Sequence, residues 1–122
     1  VVTTLAGTVY VRIGNIFDGV WTEPFETAYI LMYDGKIFKV TTQEFKRVGI
    51  DRWLLLDYFN KNGYTAMDMV LIVHNHFENP RFSSNDIQSY RMLRDGGFTG
   101  AFVLYHVPSG KYFRIRDGLN GR

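Results

Sequence analysis

The 122-residue chain contains no cysteine, so no disulfide can hold its fold together. Any zinc site must therefore draw on histidine and carboxylate ligands. Absence of cysteine also fits a cytoplasmic protein, the expected location. No apolar run reaches the roughly 18 residues a membrane helix needs. The longest, Met69 to Val73, is strand-sized, and no membrane partner is expected. No signal peptide is visible, and the chain begins at Val1 rather than Met, as expected of a segment taken from a longer protein. Charge bias is small: 14 Lys and Arg against 12 Asp and Glu give a net +2, with a pI of about 8.9. That balance is too weak to argue for nucleic acid by itself. Internal repeats, low-complexity segments and Pro/Ser-rich linkers are all missing. The chain thus reads as one domain over 1–122, with 1–25 as an N-terminal strand extension.

What is present is enough to build a core. Hydrophobic residues make up 46% of the chain, sufficient for one domain of this length. Thr8 to Ile13 alternates as a strand, and Asp18-Gly19 marks a turn. Ala28 to Tyr33 and Lys36 to Thr41 flank Asp34-Gly35, whose residues tolerate positive φ and so signal a hairpin. Ile50 to Asn62 carries Trp53, Leu54, Leu56 and Phe59 at helical spacing, with Gly63 as its stop. Met67 to Val73 is a nearly continuous β-favouring run, typical of a buried central strand. Ser83 to Arg94 opens with Ser-x-x-Asp and ends at Gly96-Gly97, a second helix. Phe102 to Val107 and Lys111 to Arg116 close the chain as two strands around Pro108-Ser109-Gly110. Hairpin, helix, strand, helix, hairpin predicts an α/β domain of the α+β type, a mixed sheet sandwiched by two helices.

Two of the three histidines lie in Val73-His74-Asn75-His76-Phe77, directly after the central strand. In an extended chain, residues two apart share a side, so His74 and His76 can turn both imidazoles toward one point. Asp86 follows ten residues later at the start of the second helix. Two His and one carboxylate leave a fourth position for water, the pattern of catalytic rather than structural zinc. Each piece also has a plain structural explanation. A His-x-His pair is a weak signal alone, and Ser83-x-x-Asp86 is an ordinary capping box. Both roles can hold together, because the cap would place Asp86 beside the metal.

The order of buried strand, His-x-His, polar loop, Ser-x-x-Asp and helix resembles the JAMM motif of JAB/MPN+ metallopeptidases. The RadC-like branch is the nearer match, through His74-Asn75-His76 and Ser83-Ser84-Asn85-Asp86. Val103-Leu104-Tyr105-His106 and Tyr112 to Leu119 also resemble that branch, so the likeness spans roughly Glu26 to Leu119. Three features depart from it. The loop from His76 to Asp86 is one residue short, Phe77 replaces the usual proline and the loop glycine is missing, and Tyr105 stands where Asp is common.

The resemblance implies a JAB/MPN-like, cytidine-deaminase-like layering and Zn2+ held by His74, His76 and Asp86. It also implies Glu26 as the catalytic acid and base and Ser83 as an oxyanion donor. The activity implied is zinc-dependent hydrolysis of a peptide or isopeptide, including the tail of a ubiquitin-like or other protein. Glu23, Glu44 and Glu78 are other carboxylates, but Glu26 stands directly before the strand starting at Ala28. The alternative is a non-catalytic JAB-fold binding module, associated with nucleic acid, DNA repair or mobile elements as RadC-like proteins are. Asn75 should point away from the ligands and hydrogen-bond the strand end. His106, mid-strand among apolar residues, reads as a satisfied core or edge histidine. The basic residues Lys46, Arg47, Arg52, Arg114, Arg116 and Arg122 read as solvated surface.

Overall fold

In a computed structural model of the chain, the backbone is described over residues 2–5, 9–14, 26–41 and 52–115, and side chains over 26–40 and 55–115. Among the described residues, seven strands form one sheet: β1 (Val2–Leu5), β2 (Val9–Gly14), β3 (Thr27–Met32), β4 (Ile37–Thr41), β5 (Met69–His76), β6 (Ala101–His106) and β7 (Lys111–Arg114). Two helices, α1 (Arg52–Lys61) and α2 (Ser84–Asp95), lie between β4 and β5 and between β5 and β6. Across the sheet the strands run β1-β2-β4-β3-β5-β6-β7. Of these strands β5 and β6 pair in parallel, and the other neighbouring pairs are antiparallel. The expected α+β class and mixed sheet are therefore present.

Local chemistry accounts for these elements. The β3–β4 hairpin turns at Gly35, whose φ of +92° suits glycine, and Met32 and Lys36 close it with a 2.8 Å hydrogen bond. Gly63, at φ +89°, ends α1. The start of the central run differs from expectation. Ala66–Asp68 forms a 3-10 turn, and the strand begins only at Met69. The Asp68 carboxylate accepts from the Thr65 backbone N–H at 2.8 Å, a local bond that competes with strand pairing for this segment.

Strand alternation sends Ile30, Met32, Phe38, Val40, Ile72 and Phe102 to one face of the sheet, where they form the main core. Both helices pack there: α1 through Leu55, Leu56, Tyr58 and Phe59, and α2 through Ile87, Tyr90, Met92 and Leu93. The sandwich with one helix on either face is thus corrected. Helical periodicity reveals an apolar stripe but not the sheet face that it meets. Phe38 is fully buried and meets Phe59 edge-to-face at 4.9 Å between ring centroids. Burying such a ring contributes about 1.5–3 kcal/mol. A second cluster, Tyr29, Ile37, Val73 and Tyr105, lines the opposite face. Among the described residues no helix is long and apolar enough to cross a membrane.

Candidate metal centre

The parallel pair β5–β6 is joined through α2, which brings the N-terminus of that helix to the carboxyl end of β5. Loops and helix starts at this end of a strand commonly form ligand sites. β5 continues through His76, so His74 and His76 share the helix-covered face with Ile72. The His74 ring is buried and packs against Phe82 and Phe102 at centroid distances of 6.0 and 5.8 Å. These aromatic contacts hold its Nε2 toward the strand end.

Asp86 arrives through the cap of α2. The Ser83 hydroxyl accepts from the Asp86 N–H at 3.1 Å, and the Ser83 N–H donates to Asp86 Oδ2 at 2.8 Å. The capping box is therefore real, and it aims the same carboxylate oxygen into the site. Asp86 Oδ2 lies 3.3 Å from His74 Nε2 and 3.4 Å from His76 Nε2, and the two Nε2 atoms are 3.0 Å apart. Ligand atoms about 2.0–2.1 Å from a tetrahedral zinc lie roughly 3.3–3.4 Å from each other. His74, His76 and Asp86 thus offer a triangle of ligand atoms of the right size for one metal ion. The one-residue-shorter loop does not displace Asp86.

The donor chemistry agrees with the geometry. His76 Nδ1 faces the Asn79 carbonyl at 3.3 Å. A carbonyl only accepts, so Nδ1 carries a proton; Nε2 then donates to Asp86 in the protonated ring and is a lone pair open to a metal in the neutral one. Three electron-rich atoms meeting at one point repel one another unless a cation or proton lies between them. Burial pushes the Asp86 carboxyl up, but hydrogen bonds from His74 and His76 outweigh it and hold the group far below the usual carboxylate range. For His76, burial lowers the pKa, but the hydrogen bond and charge of Asp86 and the charge of Glu26 leave it raised. The pocket favours positive charge.

Glu26 stands at the edge of this cluster, immediately before β3. Burial raises its carboxyl to about 7; the charge of His76 opposes the rise, and those of Asp86 and Glu78 add to it. The β3–β5 ladder places Ala28 opposite His74, and one residue earlier the Thr27 N–H donates to the Asn75 side-chain oxygen at 2.7 Å. Asn75 is fully buried. As expected, it turns from the ligands and ties the strand ends together, and that bond holds the backbone next to Glu26. The Ser83 hydroxyl is exposed, and its proton has no acceptor among the described residues. Glu78 lies exposed in the loop after β5. Glu23 and Glu44 fall outside the described residues, as do the Asp18-Gly19 turn and the segment Arg116 to Leu119. The same holds for Lys46, Arg47 and Arg122 and for the side chains of Arg52 and Trp53.

His106 is buried with both ring nitrogens engaged: Nδ1 with the Ser109 hydroxyl at 2.7 Å, and Nε2 with the Glu78 carbonyl at 3.1 Å. The satisfied histidine expected from its apolar strand is observed. Its partner 28 residues away had no local signal. The Asn79 carbonyl that sets the His76 tautomer was also missed, because any residue type can supply a backbone acceptor.

Comparison of the chain with protein-family models, curated proteins and solved structures finds no match in any of the three.

Proposed function

We propose that this chain is a zinc-dependent hydrolase of the JAMM type that cleaves amide or isopeptide bonds in peptide or protein-tail substrates. The convergence of His74 Nε2, His76 Nε2 and Asp86 Oδ2 within 3.0–3.4 Å carries this reading. A zinc ion bound there would lower the pKa of water toward roughly 7 and polarise a substrate carbonyl. Two nitrogens and a carboxylate suit zinc, and three protein ligands leave a position for water.

The chain's other residues fit the remaining tasks. Glu26, at the edge of the cluster and within reach of the charges of His76 and Asp86, is placed to take a proton from the attacking water and return it to the leaving amine. Ser83 carries a hydroxyl proton free to stabilise an oxyanion beside Asp86, a contribution of about 3–4 kcal/mol where such donors have been removed. The alternative of a non-catalytic binding module drew on the shortened loop. The Asp86 distances weigh against that ground, and the full set of His74, His76, Asp86, Ser83 and Glu26 supports an enzyme.

Zinc-loaded protein should therefore cleave members of a panel of peptide and isopeptide-linked substrates. Glu26→Gln should retain zinc and lose most turnover. Equal turnover by Glu26→Gln would remove Glu26 from the mechanism. Salt-sensitive DNA binding together with no hydrolysis by a zinc-loaded chain would favour the binding module.

A further inference from the structure

The segment joining β5 to α2 has little structure of its own. Glu78, Asn79 and Pro80 are exposed and lie in neither helix nor strand. Yet this segment supplies the Asn79 carbonyl that faces His76 Nδ1, so its position determines which way the His76 lone pair points.

It is restrained from the neighbouring strand. β6 runs parallel to β5 with His106 opposite His76, and the Val107 N–H donates to the His76 carbonyl at 2.9 Å. Beside that bond, His106 Nε2 reaches the Glu78 carbonyl at 3.1 Å. Because a carbonyl cannot donate, His106 must hold its proton on Nε2. Its Nδ1 is then an acceptor for the Ser109 hydroxyl at 2.7 Å. Asn79 is steadied in turn by its own side-chain oxygen, which accepts from the Arg81 N–H at 3.2 Å. A continuous path thus runs from Ser109 through His106 and Glu78 to Asn79 and the ring of His76.

We propose that His106 is a positioning residue for the metal centre: it clamps the 77–80 segment from β6 and thereby sets the tautomer and ring direction of His76. The inference rests on the zinc reading above and adds a residue to it. Partners behind a metal's first ligands typically change affinity 10–100-fold when removed. His106 acts two links away, so the lower part of that range applies.

The test pairs a metal-dependent with a metal-independent measurement. Zinc affinity is measured by chelator competition, and the visible spectrum of the cobalt-substituted protein is recorded, for wild type, His106→Leu and His106→Gln. Folding of each variant is checked by circular dichroism. The leucine variant should bind zinc about tenfold more weakly, with shifted cobalt bands. Glutamine, whose amide N–H can reach the Glu78 carbonyl, should recover most of both. In parallel, long-range nitrogen–proton NMR of the metal-free wild type at alkaline pH should show His76 protonated on Nδ1 and His106 on Nε2. The opposite tautomer at either residue overturns the proposal without any variant being needed. So does a folded His106→Leu protein with wild-type affinity and cobalt bands. A wild type with the expected tautomers that binds neither zinc nor cobalt would refute the metal reading while leaving the clamp in place. The two failures are thus separable.

Discussion

Replacing Asp86 with asparagine separates its role as helix cap from its proposed role as metal ligand. The amide oxygen can still accept from the Ser83 N–H, but the charged ligand 3.3 and 3.4 Å from the two histidines is gone. Ser83→Ala does the reverse. It loses the hydroxyl that accepts from the Asp86 N–H, worth about 1 kcal/mol for a helix cap. The Asp86 carboxylate remains held by the Ser83 backbone. A ligand at 100 times its dissociation constant stabilises the folded state by about 2.7 kcal/mol. For 122 residues at about 2.1 cal/mol/K each, the unfolding entropy is about 0.26 kcal/mol/K, so that stabilisation raises Tm by about 10 °C. Scanning calorimetry with and without zinc should therefore show a rise near 10 °C in the wild type. Ser83→Ala should start about 4 °C lower and keep the same rise. Asp86→Asn should show almost no rise, whatever its metal-free Tm. An undiminished zinc increment in Asp86→Asn would refute Asp86 as a ligand.

Three further outcomes follow from the structure. The Tyr64 hydroxyl donates to Asp34 at 2.6 Å, which lowers the Asp34 carboxyl and raises Tyr64 to about 12. A depressed acid contributes stability above its unfolded pKa, and a raised phenol loses its contribution as pH climbs past its unfolded value near 10. The stability advantage of wild type over Tyr64→Phe should thus be greatest between the ordinary Asp range and about pH 10 and shrink on both sides, as urea unfolding across pH will show. For Glu26 the sign is opposite: a carboxyl raised from 4.5 to about 7 burdens the metal-free fold as pH climbs through that window. Metal-free wild type should lose stability relative to Glu26→Gln between those values and run parallel to it above, and a flat difference would contradict the assigned burial. Finally, a Cβ at Gly100 would collide with the Val70 carbonyl oxygen, so Gly100→Ala should cost about 1–3 kcal/mol in denaturant unfolding.

Much of the site was legible because its signals are local. Two-residue spacing in a strand places His74 and His76 on one side, and Ser-x-x-Asp announces both a helix start and where its carboxylate points. The β3–β4 hairpin was legible for the same reason, through Asp34-Gly35. What was not legible depends on contacts between distant segments. Nothing near His106 in sequence indicates that it meets the Glu78 carbonyl, and nothing near Glu26 shows Asn75 gripping the adjacent Thr27. The placement of both helices on one face follows from Phe38 and Phe102 serving the same core. Each helix pattern, taken separately, allowed either face. The 3-10 turn at Ala66–Asp68 was hidden inside an apolar run that β propensity favoured throughout.

The central claim is that His74, His76 and Asp86 bind one metal ion. Elemental analysis of protein purified without a histidine tag, alongside His76→Ala, tests it most directly. About one zinc per chain in the wild type, and little in the variant, is the expected result. A folded wild type that takes up no zinc after careful addition, or a variant that retains as much as the wild type, would contradict the account.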